Sequence, residues 1–213
     1  MTKLYFIRHG KTKWNNMGIY QGANQDSPLL ESSYNDIRRL ANYLMNIRFV
    51  HLYSSPIHRA VVTSTELISN LHQKIPMTLD SRLKEFDFGK IEGMKFDDVK
   101  RQYPNEYDGL HRHAEKYSNK KVGGETFQDV IKRMSSIIYQ IVKQHINVND
   151  NVLIVSHGAA LNAAINFLLG KSLCELRSHE SLLHGSTTIL ETLNQGKSFK
   201  LIKKNITSYL DQL

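Results

Sequence analysis

Two apolar runs far apart in the chain end in the same way. Leu4-Tyr5-Phe6-Ile7 leads into Arg8-His9-Gly10, and Val152-Leu153-Ile154-Val155 leads into Ser156-His157-Gly158. Short continuous apolar runs of this kind suit strands covered on both faces, as in the middle of a parallel sheet. The pattern predicts strands over 3–8 and 151–156, each with a histidine at its C-terminal end. Ile37, Leu40, Ala41, Leu44 and Met45 recur at helical spacing and predict an amphipathic helix over about 31–47. Val50 to Ser54 reads as another strand. Ser55-Pro56 after it reads as a helix start, with Ser as N-cap and Pro in the first turn. Ala60, Ser64, Leu67, Ile68 and Leu71 line that helix, and a short strand follows around 76–80.

Beyond residue 126 the pattern is again regular. Thr126 and Asp129 form a capping-type pair ahead of Phe127, Val130, Ile131, Met134, Ile137, Ile138, Ile141 and Val142, the buried stripe of a long helix. A helix over 159–169 ends at Gly170. Thr187–Leu193 and Phe199–Lys203 flank Asn194-Gln195-Gly196-Lys197 and read as an antiparallel hairpin. Strand alternating with helix predicts an α/β fold, a three-layer α/β/α sandwich whose sheet is mostly parallel with an antiparallel edge. The stretch 84–125, with Gly89, Gly93, Pro104, Gly109 and Gly123-Gly124, is irregular and reads as a lid-like insert. The 213 residues contain no linker, so a single domain over 1–213 is expected.

Composition narrows the class of protein. Cys174 is the only cysteine, which rules out an intramolecular disulfide and points to a reducing compartment. The apolar run before Arg8 is too short for a signal-peptide core, and no run approaches a membrane span, so the expected location is the cytoplasm. The net charge of +8 favours anionic partners. Its basic residues are scattered, and pairs such as Lys120-Lys121 and Lys203-Lys204 are not a patch, so neither nucleic acid nor membrane is the expected partner.

The candidate chemistry gathers at the strand ends, where reactive groups collect in open α/β sheets. The chain reads Arg8-His9-Gly10-Lys11-Thr12-Lys13-Trp14-Asn15, then Tyr20-Gln21-Gly22, then Asp26-Ser27-Pro28-Leu29. Ser54-Ser55-Pro56-Ile57-His58-Arg59-Ala60 follows, then Leu83-Lys84-Glu85-Phe86-Asp87-Phe88-Gly89 up to Gly93, then Gly123-Gly124-Glu125-Thr126, and last Ser156-His157-Gly158. Phosphoryl transfer needs an in-line nucleophile, fixed positive charge around the equatorial oxygens and a proton donor for the leaving oxygen. A neutral imidazole, arginine forks and a carboxyl group meet those needs without a metal or other cofactor. Phe86 and Phe88 beside Glu85 are expected to keep it protonated. His111-Arg112-His113 has metal-ligand spacing but no evident third ligand. His58, His145 and His184 read as structural or exposed.

Over about 3–193 this ordered set resembles the histidine phosphatase superfamily, in the branch of phosphoglycerate mutase and its phosphatase relatives. The resemblance implies that His9 is the nucleophile, that Arg8 and Arg59 bind phosphoryl oxygens, that His157 donates to the same oxygens and that Glu85 is the general acid–base. It also implies phosphate contacts from Asn15, Gln21 and the backbone of Gly22 and Gly158. The implied activity is a metal-independent phosphomonoesterase acting on small phosphorylated metabolites, with a homodimer compatible with the reading. The alternatives are a bisphosphoglycerate-dependent mutase and a non-catalytic phospho-ligand or protein-binding module. Tyr20-Gln21-Gly22 and the short segment between Glu92 and Gly123 favour hydrolysis over mutase activity, and the intact histidines and arginines disfavour the non-catalytic module. Gly158 after His157 disfavours the acid-phosphatase branch. The sequence departs from the family at Lys11, around Ser33 and Asp36, and at Ala159, Ala160 and Asn162, which bears on substrate choice.

Overall fold

A computed structural model describes residues 1–145, 149–176 and 181–210. In chain order the elements are β1 (Thr2–Arg8), α1 (Lys13–Asn16), α2 (Glu31–Leu44), β2 (His51–Ser54), α3 (His58–Leu71), β3 (Met77–Leu79), α4 (Phe96–Gln102) and α5 (Pro104–His111). Then come α6 (Phe127–Gln144), β4 (Asp150–Ser156), α7 (Gly158–Leu168), β5 (Thr187–Thr192) and β6 (Lys200–Ile206). The six strands form one sheet in the order β3-β2-β4-β1-β5-β6. Contacts among β3, β2, β4 and β1 are parallel, while β5 and β6 run antiparallel at the other edge. The predicted α/β architecture with its antiparallel edge is the observed one.

Alternation along the central strands feeds two cores. Tyr5, Ile7, Leu153 and Val155 pack with Ile37, Leu40, Leu44, Ala60 and Leu67 of α2 and α3. Leu4, Phe6, Val152 and Ile154 pack on the other face with Met134, Ile138, Leu161 and Ile165 of α6 and α7. Both faces are therefore apolar, which is why the strands read as unbroken hydrophobic runs. Helix α6 opens with the predicted capping box: Thr126 Oγ1 accepts from the Asp129 N–H, and the Asp129 carboxylate accepts from the Thr126 N–H.

One predicted boundary is wrong. Helix α3 begins at His58 with Ile57 at its N-cap and no side-chain cap, so Ser55 does not cap it. The chain makes a further turn after Pro56, and the Ser55 hydroxyl instead faces His157 at 2.8 Å. The irregular insert has room for one or two short helices, and the structure has two, α4 and α5, consecutive in the chain. Among the described residues, no helix is long and apolar enough to cross a membrane.

Candidate active site

Sheet register brings the two histidines together. Strands β1 and β4 are parallel neighbours with Arg8 opposite Ser156, so the next residue on each is a histidine at the same sheet edge. The His9 N–H donates to the Ser156 carbonyl at 3.0 Å, and the two imidazole centroids lie 5.1 Å apart.

The protonation pattern of His9 follows from its partners. Nδ1 lies 2.7 Å from the Gly10 carbonyl, which can only accept, so Nδ1 carries the proton. Nε2 receives the Arg59 Nε–H at 3.2 Å and therefore presents its lone pair. Burial, reinforced by Arg59, Arg8 and His184, holds the His9 pKa well below the ordinary imidazole value, so the ring is neutral at physiological pH.

His157 occupies the N-cap position of α7 and is fully buried. Burial first, then Arg59 and His9, push its pKa well below the usual imidazole value. Its Nε2 is 2.8 Å from the Ser55 hydroxyl, while its buried Nδ1 has no hydrogen-bond partner. A buried polar nitrogen without a partner is costly, and here it stands beside His9.

Arg8 crosses the mouth of the same edge. Nη1 donates to the Leu182 carbonyl at 2.5 Å and Nη2 to His184 Nε2 at 2.6 Å, whereas the buried Nε has no partner. Burial lowers its pKa to about 10, against a raising influence of Glu85. His184 was read from the sequence as structural or exposed. Its place is a structural one beside the site, because its ring accepts from Arg8 and lies 6.0 Å from that of His9.

Arg59 is enclosed, with 1% of its surface exposed. Nη1 binds Asp26 at 2.9 Å and the Gln25 carbonyl, and Nη2 binds the Gly22 carbonyl at 3.0 Å. Its fork thus fastens the 21–26 loop, and the Nε–H is the donor aimed at His9 Nε2.

Glu85 is buried at the N-terminus of α7. Its carboxylate accepts from the N–H groups of Phe86, Ala159 and Ala160 at 2.9, 3.1 and 2.8 Å. The expected apolar surround is therefore interrupted by three N–H donors, two of them in the first turn of α7 and the third from Phe86 in the loop itself. Phe86 points into the core, and Phe88 lines the cavity beside Glu85. Arg133 steadies this loop, donating to the carbonyls of Arg82, Lys84 and Glu85 while paired with Glu125. The nearby carboxylate Glu92 has another use: it accepts from the N–H groups of Ala23, Asn24 and Phe88, clasping two loops together.

The remaining candidates divide between ligand-facing and structural positions. Asn15 closes the α1 capping box through Oδ1 and lines the cavity, which leaves its amide group as a donor. Gln21 also lines the cavity, but its amide donates to Asp26 and its carbonyl accepts from Thr12. Gly22 is needed for packing, since a Cβ there would fall 2.1 Å from Glu92 Oε1. Gly158 lines the cavity against Arg8.

Sequence reading missed Ser55, His184 and Arg133, along with the wall of Ile19, Phe96 and Leu110. His111, singled out for its spacing to His113, is instead hydrogen-bonded to the Tyr20 hydroxyl at 2.7 Å.

Comparison with known proteins agrees with this geometry. The model of the histidine phosphatase superfamily (branch 1) matches residues 4–205. Phosphoserine phosphatase 1 of Hydrogenobacter thermophilus is 27% identical over 212 residues, covering 100% of this chain and 96% of that protein. A 6-phosphofructo-2-kinase/fructose-2,6-bisphosphatase of Caenorhabditis elegans is 30% identical over 85% of this chain, which spans only 37% of that longer protein. Among solved structures, YhfR of Bacillus stearothermophilus superposes with a TM-score of 0.90 at 31% identity, covering 99% of this chain and 100% of that one. With nearly its whole length matched, the chain belongs to the histidine phosphatase superfamily (branch 1).

Proposed function

We propose that this protein is a metal-independent phosphomonoesterase that works through a phosphohistidine at His9. The observation that carries the reading is the fixed tautomer of His9. Gly10 holds the Nδ1 proton, so the lone pair on Nε2 is presented at the sheet edge among Arg8, Arg59 and His157.

The steps follow from the geometry. The Nε2 lone pair attacks phosphorus and the ester P–O bond breaks. Glu85 gives the leaving oxygen a proton, which this role requires it to carry in the enzyme–substrate complex. The resulting phosphoimidazolium keeps its Nδ1 proton on the Gly10 carbonyl. Water then attacks phosphorus, Glu85 takes a proton from it, the P–N bond breaks and His9 returns neutral. The unpartnered Arg8 Nε and His157 Nδ1 are donors suited to phosphoryl oxygens, and Asn15 supplies another from α1. That role requires the His157 ring proton on Nδ1, the tautomer in which the Ser55 hydroxyl donates to Nε2.

Hydrolysis is favoured over mutase chemistry by Tyr20-Gln21-Gly22 and by the short span from Glu92 to Gly123. The Hydrogenobacter relative that matches end to end is itself named a phosphatase. We read residues 84–125 as a lid-like insert within one domain of 213 residues, because α4 and α5 supply a wall of the cavity.

The test is a covalent label. Wild-type protein mixed with labelled monoester in EDTA should carry acid-labile, base-stable phosphate and release inorganic phosphate. His9→Ala should do neither while keeping its circular dichroism spectrum. Persistence of the label in His9→Ala removes His9 as nucleophile, and faster formation of 2-phosphoglycerate than of inorganic phosphate from 3-phosphoglycerate would make the protein a mutase.

A further inference from the structure

The cavity at His9 has two chemically different ends. One end holds the phosphoryl machinery. The other is walled by Ile19, Tyr20, Phe88, Phe96 and Leu110. Tyr20 makes edge contacts with Phe88 at 5.4 Å and Phe96 at 4.7 Å, so its ring belongs to the apolar wall. The polar groups at this end are largely engaged with each other: the Tyr20 hydroxyl and His111 Nε2 are 2.7 Å apart, and the His111 ring lies against Tyr107 with centroids at 4.3 Å. Ser181 supplies a further hydroxyl. Among the described residues that line the cavity, Arg8 is the one with a fixed positive charge, and it belongs to the phosphoryl end.

From this juxtaposition we infer that the alcohol half of the substrate is apolar, a short alkyl chain or single aromatic ring, and that phosphorylated hydroxy acids are poor substrates. The inference rests on the phosphatase reading of the same site. The carboxylate of a phosphoglycerate or phosphoserine would leave water for a wall of carbon, and a desolvated charge without a partner is strongly disfavoured. An alkyl or aryl group gains there instead. The whole cavity, phosphoryl end included, is about 150 Å³, so the alcohol half that it takes is small. Helices α4 and α5, which contribute Phe96, Leu110 and His111, therefore select the leaving group, while the strand ends carry out the transfer.

A homologous series of esters tests this, because ethyl, propyl and butyl phosphate share leaving-group chemistry and differ in apolar surface. Phosphate release is followed in EDTA, with p-nitrophenyl phosphate as a control for chemistry alone. We expect kcat/KM to rise with each methylene, by up to about fourfold, the factor equivalent to about 0.8 kcal/mol of burial. The values for 3-phosphoglycerate and O-phosphoserine should lie at least tenfold below that of butyl phosphate. Phe96→Ala should flatten the series by raising KM for the longer esters, with folding checked by circular dichroism. A flat wild-type series, or a preference for 3-phosphoglycerate, overturns the apolar subsite while leaving the phosphatase reading intact. Failure to hydrolyse every ester, p-nitrophenyl phosphate included, overturns both.

Discussion

Gly158 lines the cavity at the first position of α7, directly against the Arg8 guanidinium. A Cβ added there would lie 2.8 Å from Arg8 Cζ, 2.9 Å from Nε and 3.2 Å from Nη1. Carbon contacts settle at about 3.5–4.0 Å, so the guanidinium must retreat by roughly 0.7 Å or more. It is held on its far side by the Leu182 carbonyl and His184, so it cannot move without loosening one of them. Misplacement on this scale, about 1 Å, costs on the order of 10²-fold in rate. Stability should move differently. The added methyl meets the far end of a side chain rather than backbone, and alanine favours a helix over glycine by up to about 1 kcal/mol. Gly158→Ala should therefore lose about 10²-fold in kcat/KM on p-nitrophenyl phosphate while the thermal midpoint changes little, the helical gain at most offsetting the loosened Arg8 contact. A double-mutant cycle isolates the cause: in an Arg8→Ala background the same substitution should have little further effect. Retention of kcat/KM within about threefold in the single variant would show that the position of Arg8 does not govern turnover.

The other expectations follow from particular contacts. Glu85→Gln should lose about 10²–10⁴-fold on alkyl phosphates and much less on p-nitrophenyl phosphate, whose phenolate leaves without a proton; equal losses remove Glu85 from the acid role. His184→Ala should weaken inhibition by inorganic phosphate and lower kcat/KM by about tenfold through a loosened Arg8, and His184→Gln, which restores an acceptor, should recover most of it; identical behaviour of the two variants would argue against the Arg8 contact. Burial first, and then Arg8 and Lys11, lower the His184 pKa to about 3, while burial and the arginines depress His9 and His157. The unfolded chain then binds protons below about pH 6.5 that the folded chain refuses, so stability is full above that pH and falls with acidification, by up to about 1.4 kcal/mol per pH unit for each histidine. Urea midpoints at pH 7.5 and 5.5 measure this. His184→Gln should show the shallower dependence, and a pH-independent wild type would contradict the buried neutral histidines.

The sequence made the strand ends legible because burial on both faces writes itself as an unbroken apolar run, and both histidines follow such runs. What it did not contain was register. The pairing of Arg8 with Ser156 is a fact of the folded sheet, inferable only from the similarity of the two endings. His184 was invisible for the same reason. It is carried in by the turn before β5, where the Gly185 N–H donates to the Arg8 carbonyl and the Arg8 N–H to the Ser186 carbonyl. Nothing local to His184-Gly185-Ser186 signals that contact, which spans 176 residues. Ser55 was misread because Ser-Pro is a common helix entry, yet the turn delays α3 and leaves the hydroxyl for His157.

Arg59 shows what residue type alone leaves out. Its position in the sequence suggested a fork presented to phosphate. In the fold, Nη1 and Nη2 lock the 21–26 loop through Asp26 and the backbone carbonyls, which fixes the cavity wall bearing Tyr20 and Gln21. The Nε–H alone reaches His9, and it occupies the lone pair that the proposed mechanism directs at phosphorus. On that proposal Arg59 both orients His9 and restrains it in the free protein. An incoming phosphoryl oxygen is a better acceptor for that N–H than a neutral imidazole nitrogen, since charge-assisted hydrogen bonds are the stronger kind. In the proposed mechanism, binding the substrate then transfers one hydrogen bond from ring to phosphate and frees the lone pair in the same movement, without displacing the buried fork that holds the loop.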